Sequence, residues 1–202
     1  DLEWQYAVRK VTSIDEHGHP VTVTTDAFGR EVLKEEHLGS QTISTQMQYN
    51  VLGQLTKLID HSNNQWTWTI DTLGRTTKQV DPDSGTTQFW YDDEGRLTAK
   101  LDAKSQRTEY TYPQGRLGTK SVVGQPSEAV AYRYGEARGS YSNAGRLTSI
   151  DGRGTVLQTD YDAMGRAARV SRVLEGQTYV AERWYDVGGR LTALVNTPGS
   201  GP

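Results

Sequence analysis

The chain has no cysteine in its 202 residues, and only two methionines and two phenylalanines. Without cysteine there is no disulfide framework, no thiolate metal site and no thiol nucleophile. No apolar run approaches the ~18 residues of a membrane-spanning helix, so no such span is expected. Charge of one sign is also missing. With 22 Lys and Arg against 25 Asp and Glu the net charge is −3, too little positive charge for a dedicated nucleic-acid binder. Helical faces are absent too, since no apolar i, i+3, i+4, i+7 series persists beyond two turns. What remains is strand and turn material: 11 Tyr, 5 Trp and 21 Gly, with many Thr and Val. The charges are mixed and the aromatics evenly spread, unlike a disordered tail.

A repeat runs through nearly the whole sequence. Tyr91-Asp-Asp-Glu-Gly-Arg-Leu97 returns as Tyr49-Asn-Val-Leu-Gly-Gln-Leu55, Ile70-Asp-Thr-Leu-Gly-Arg-Thr76, Tyr161-Asp-Ala-Met-Gly-Arg-Ala167 and Tyr185-Asp-Val-Gly-Gly-Arg-Leu191. Looser copies are Thr25-Asp-Ala-Phe-Gly-Arg30, Tyr112-Pro-Gln-Gly-Arg-Leu117, one residue short, and Tyr141-Ser-Asn-Ala-Gly-Arg-Leu147. The repeat glycines are Gly29, Gly53, Gly74, Gly95, Gly115, Gly145, Gly165 and Gly189, a period near 21 residues. Such a period marks one supersecondary unit per copy. Midway between them lie second turn signals, among them Asp15-Glu-His-Gly18, Asp81-Pro-Asp-Ser-Gly85 and Asp151-Gly-Arg-Gly154. Each unit therefore reads as strand, turn, strand, turn.

Asp or Asn at the first turn position and Gly at the fourth is the type I pattern, and the Gly closes a bulged hairpin loop. The strands alternate with period 2: Leu97, Ala99 and Leu101 on one side, and Trp66, Trp68 and Ile70 on one side of another strand. The fold class predicted is all-β, an antiparallel meander of about eight hairpin repeats of two strands each. At ~4.8 Å per strand so wide a sheet has to curl. A propeller-like arrangement is the alternative, because two units supply the four strands of a blade. Residues 1–197 read as one continuous array, with lengthened hairpins at 117–144 and 168–184, and residues 198–202 as a flexible tail or linker. The start at Asp1 and the Gly/Ser/Pro ending suggest a segment of a longer protein.

These residues resemble the Rhs/YD-repeat family, whose hallmark is Tyr-Asp-x-x-Gly-Arg-Leu followed by a variable strand and an Asp-containing turn. That family includes bacterial Rhs and polymorphic toxins, insecticidal toxin-complex components and the teneurins. The resemblance implies a β-ribbon spiralling into a hollow shell around a C-terminal effector. It implies a secreted or cell-surface bacterial protein, although no signal peptide is visible. It also implies that the partners are the rest of the parent chain, with glycans or a partner toxin component as further candidates. The family's self-cleaving core block has no copy here, so no autoproteolytic residue carries over.

The repeat residues form the candidate structural motif: Asp26, Gly29 and Arg30; Tyr49 and Gly53; Asp71, Gly74 and Arg75; Tyr91, Asp92, Gly95 and Arg96; Tyr112, Gly115 and Arg116; Gly145 and Arg146; Tyr161, Asp162, Gly165 and Arg166; Tyr185, Asp186, Gly189 and Arg190. The Asp–Arg pairs could form a charged ladder for acidic or sugar ligands. The plainer reading is stronger: each Asp caps its own turn, while each Arg pairs with a neighbouring repeat and lies over a Tyr. The aromatics, Tyr6 included, read as a cross-strand stripe, with Trp66 and Trp68 the candidates for ligand stacking. His17 and His19 beside Asp15 and Glu16 lack a distant third ligand, and the loop at Asp81 lacks the glutamate of a calcium loop. The four histidines sit in polar turn contexts, no Gly-x-Ser-x-Gly elbow occurs and no phosphate-cradling loop opens a helix. No catalytic residue, cofactor or metal site is expected. The function implied is a non-catalytic shell segment that encloses or presents a C-terminal toxin or effector. The alternative is an adhesive module for glycans or proteins.

Overall fold

The computed structural model describes residues 9–198, so Tyr6 and residues 199–202 of the expected tail lie outside the described residues. The described residues contain seventeen antiparallel strands and one 3-10 turn, Pro113–Gly115. The fold is all-β, as the period-2 pattern predicts. None of the described helices is long and apolar enough to cross a membrane.

The chain forms two compact units, Asp1–Trp90 with Lys100–Ser105, and Tyr91–Ala99 with Gln106–Pro202. The first series of strands is β1 (Arg9–Ile14), β2 (Pro20–Thr25), β3 (Glu31–Leu38), β4 (Gln41–Tyr49), β5 (Leu55–Ile59), β6 (Gln65–Ile70), β7 (Thr76–Asp81) and β8 (Gly85–Tyr91). Each pairs with the next. After β9 (Leu97–Leu101) the second series runs β10 (Arg107–Thr111), β11 (Thr119–Val122), β12 (Gln125–Tyr134), β13 (Leu147–Gly152), β14 (Thr155–Tyr161), β15 (Ala167–Leu174), β16 (Gln177–Tyr185) and β17 (Leu191–Pro198). These also pair in order. A four-stranded blade would break the ladder after β4. Instead Gln46 faces Ile59 across β4 and β5, so the propeller alternative is not what forms.

The repeat turns set the register. Before most YD-type turns the ladder slips by one residue, as at Gln48/Tyr49, Asp160/Tyr161 and Trp184/Tyr185. This is the bulge that a three-residue loop with a left-handed glycine introduces. Gly165, at φ +82°, holds that position in its turn. The period breaks in one place, residues 135–146 between β12 and β13, where a loop replaces the short turn. The stretch 168–184 is an uninterrupted long hairpin closed at Glu175 and Gly176.

Burial is shallow. Ala99 is the one buried hydrophobic side chain among the described residues. The buried polar residues Asn143, Thr148, Ser149, Asp160 and Ser171 cluster in the second unit. Apolar side chains otherwise lie half-buried against cross-strand neighbours, the arrangement of a single-layered sheet.

Candidate functional site

The YD-type turn is built around its aspartate. In the first copy the Asp26 Oδ1 accepts from the main-chain N–H groups of Phe28, 2.9 Å, and Arg30, 3.0 Å. The Arg30 Nε then donates to Oδ2 at 2.7 Å. The turn thus satisfies its own main chain and orients its own arginine. Asp71 with Arg75, Asp92 with Arg96 and Asp162 with Arg166 repeat the ion pair at 2.7 Å. Arg30 first, through its side chain, holds the Asp26 carboxyl below the ordinary carboxylate range. At Asp71 the Arg75 N–H is the largest cause of the lowering. At Asp162 burial pushes upward most, and the combined hydrogen bonds from Arg166 and Met164 outweigh it.

The sequence reading placed the ion pair between repeats, whereas the structure places it within the turn. What crosses to the next repeat is the flat face of the guanidinium. Arg30 lies 4.8 Å from the centroid of Tyr49, Arg96 5.0 Å from Tyr112, Arg116 5.2 Å from Tyr134, Arg146 5.4 Å from Tyr161 and Arg166 4.6 Å from Tyr185. Each such tyrosine hydroxyl donates back to the carbonyl just after that arginine. Tyr49 reaches Glu31 at 2.8 Å, Tyr112 Leu97 at 2.8 Å, Tyr134 Leu117 at 3.2 Å, Tyr161 Leu147 at 2.8 Å and Tyr185 Ala167 at 3.1 Å. The guanidinium also reaches the following turn's main chain, from Arg30 to Asn50 O at 3.4 Å and from Arg166 to Asp186 O at 3.1 Å. Five repeats are therefore stapled to the next by one stacking contact and one or two hydrogen bonds. An exposed cation–π contact contributes about 0.5–1 kcal/mol.

One turn shows what happens without charge. Asn50 and Gln54 replace Asp and Arg, and they pair as amides, Asn50 Nδ2 to Gln54 Oε1 at 2.7 Å. Ile70 stands where the next tyrosine would be. Where the cation is lost, the ring that would receive it is lost as well. In the last turn Arg190 donates its main-chain N–H to Asp186 Oδ1 at 2.9 Å without a side-chain ion pair.

Tyr141 does not take the place that its sequence copy suggests. Tyr134 does: it pairs with Leu147 in the register that Tyr161 has with Ala167, and Gly135 N donates to Arg146 O at 2.9 Å as Asp162 N does to Arg166 O. The intervening residues form a loop over the sheet that sequence reasoning did not resolve. Its Arg138 donates to Asp160 at 2.6 Å, Glu136 at 3.0 Å and Thr148 O at 2.7 Å. Asn143 donates to Asp160 at 2.8 Å and accepts from Tyr161 N at 3.0 Å. Ser149 and Thr148 both bond Glu136, and with desolvation opposing them they hold its carboxyl low, Ser149 most. Arg169 reaches Asp160 from the neighbouring strand at 3.4 Å. The length of the 117–144 irregularity was the one available signal, because these residues share no sequence pattern.

Trp66 and Trp68 are half-buried on β6, Trp66 opposite Leu58 and Trp68 opposite Gln79. A side-chain hydrogen bond from Trp66 also helps to lower the Asp81 carboxyl. His37 is not in a turn, contrary to the sequence reading. It lies within β3, its Nε2 3.3 Å from Thr22 Oγ1 and its Nδ1 3.2 Å from Thr42 Oγ1. Among the described residues no three His, Cys, Asp or Glu gather as metal ligands.

Antiparallel hairpins joined by turns of this kind, several of them capped by an Asp–Arg pair, define an all-β repeat protein. Residues 91–127 match the family model described as RHS Repeat. Its fold is similar to that of the crystal structure of TcdB2-TccC3, with a TM-score of 0.76 at 15% identity, covering 94% of this chain and 12% of that one. The crystal structure of TcdB2-TccC3-Cdc42 gives 0.73 at 16% identity over 89% of this chain and 11% of that one. TcdB2-TccC3 without its hypervariable C-terminal region gives 0.65 at 16% identity over 89% and 12%. The chain thus spans about an eighth of the first of these relatives. No curated protein matches the chain.

Proposed function

We propose that the chain is a non-catalytic wall segment of a YD-repeat shell that encloses or presents a C-terminal toxin or effector of a larger secreted bacterial protein. The observation that carries this reading is the staple between successive turns. In five repeats it commits an arginine, a tyrosine ring and its hydroxyl to holding the next repeat, which is the work of a wall. The single-layered sheet, with Ala99 as its one buried hydrophobic side chain among the described residues, supports the same reading. A sheet with so little core gains stability from strands that continue it and from whatever covers its faces. The similarity to TcdB2-TccC3, of which the chain spans 12%, fits a segment of something larger. The motif residues act structurally on this reading, residues 1–197 form one repeat array, and the chief partner is the rest of the parent chain.

Limited proteolysis of the intact parent protein with mass readout tests the proposal. A wall segment keeps the region after the repeats protease-resistant until the shell is denatured, even where that region is cleaved from them. Immediate digestion of that region, with the repeats surviving, overturns enclosure and favours an adhesive surface. Glycan binding that quenches Trp66 and Trp68 would then be the next observation to seek.

A further inference from the structure

The turn at Tyr112 lacks its aspartate, because the copy is one residue short and Pro113 follows the tyrosine directly. Arg116 is consequently released from the ion pair that Arg30, Arg75, Arg96 and Arg166 make. It keeps the stacking on Tyr134 and one hydrogen bond, from Nη1 to Gly145 O at 2.6 Å. Its Nε and Nη2 donate to no protein group. Beside it opens a cavity of about 510 Å³ lined by Pro113, Gln114, Arg116, Gly118, Tyr132, Tyr134 and Gly145. The Gln114 amide and the Tyr132 hydroxyl on this lining have no side-chain hydrogen bond either. The wall thus offers a guanidinium fork, an amide and a phenol as donors, with Tyr134 and Pro113 as apolar surfaces, and no carboxylate. Gly118 is buried, and a Cβ there would strike the Pro113 ring, so the two pack closely in the lining.

We propose that this cavity binds a carboxylate carried on an apolar body, which takes the place beside Arg116 that Asp26 takes beside Arg30. A guanidinium fork matches a carboxylate in two parallel hydrogen bonds. The apolar body lies against Tyr134 and Pro113, in a volume within the usual range for small-ligand sites. The carboxylate comes either from a free organic acid or from an acidic side chain of a polypeptide segment.

The test is calorimetric titration of the intact protein with benzoate, with benzamide as the neutral isostere, and with the peptide acetyl-Phe-Glu-amide. Saturable one-to-one binding of benzoate or the peptide is expected, at least tenfold tighter than benzamide. Arg116→Gln should weaken it tenfold or more, and Arg166→Gln, whose arginine already has Asp162, should leave it within twofold. Should R116Q fail to fold, Gln114→Glu decides, since it is isosteric and supplies the cavity with its own carboxylate; it too should weaken binding tenfold. Tighter binding of the peptide assigns the site to a polypeptide segment, and tighter benzoate binding to a free acid. Benzamide binding as well as benzoate, insensitivity to R116Q or Q114E, or no saturable binding of either acid overturns the proposal.

Discussion

Arg166 stands 4.6 Å from the ring centroid of Tyr185, while Tyr185 returns a hydrogen bond to Ala167 O, the residue after that arginine, at 3.1 Å. Two residues nineteen positions apart therefore hold each other at two points. The arginine is aimed by Asp162 of its own turn, so aspartate, arginine and the next tyrosine act as a unit.

Non-additivity is the expected consequence. Tyr185→Ile and Arg166→Gln should each destabilise the protein, and the pair should lose about 0.5–1 kcal/mol less than the sum of the singles. Adding Asp162→Asn recreates the combination found at Asn50, Gln54 and Ile70, and should recover stability relative to the Arg166→Gln, Tyr185→Ile pair, whose Asp162 has lost its arginine. Urea denaturation of the four variants against the parent measures this.

Gly165 and Gly29 both have positive φ, +82° and +79°, but only Gly165 has a neighbour, the Arg146 guanidinium, where a Cβ would sit. Gly29→Ala should therefore lose about 1–2 kcal/mol from the left-handed backbone alone. Gly165→Ala should lose about 0.5–1 kcal/mol more, by displacing Arg146 from Tyr161. Equal losses in thermal melts would show that Arg146 moves aside freely.

Acid should loosen the turns in a defined direction. Asp26, lowered chiefly by the Arg30 side chain, and Asp71, lowered chiefly by the Arg75 N–H, both have folded-state pKa values below the unfolded one. Their contribution is fully present above the unfolded carboxylate pKa of about 3.9 and is lost as pH falls through the folded value. Melting temperature should thus be level in this respect from neutral pH to about 5 and drop below about 4. The Asp26→Asn, Asp71→Asn pair should show a shallower acid limb, measured by circular dichroism against pH.

The loop over β13 and β14 depends on Arg138. Asp160 is only 1% exposed, and Arg138 supplies its shortest ion pair at 2.6 Å. Arg138→Met should destabilise by about 3 kcal/mol, because a buried carboxylate loses its main counter-charge and keeps only Arg169 nearby. Hydrogen exchange should quicken first at Ser142, bonded to Tyr161 O at 2.7 Å, and at Tyr161, bonded to Asn143 Oδ1. Unchanged exchange there would mean the loop is held by its backbone alone.

The strands, the turns and their period were legible because both are local. Alternation of side chains fixes a strand, and Asp with Gly three residues later fixes a turn whose hydrogen bonds close within five residues, as between Asp26 and Arg30. The same locality misled at Tyr141. It lies nearer to Gly145 than Tyr134 does, yet pairing with Leu147 selected Tyr134 across a loop of irregular length. The ion pair was misplaced for a related reason: sequence shows which charges exist but not which way a guanidinium turns.

Sequence by itself therefore determined an all-β array of capped hairpins, since each rule involved spans a few bonds. Only tertiary structure decided that Arg30, Arg96 and Arg166 each face the aspartate of their own turn and stack on the following tyrosine. It alone joined Glu136, Arg138 and Asn143 of one loop with Asp160 of β14. It also left Arg116 beside an open cavity, because contacts between residues in successive repeats depend on strand register and loop path, which no local pattern encodes.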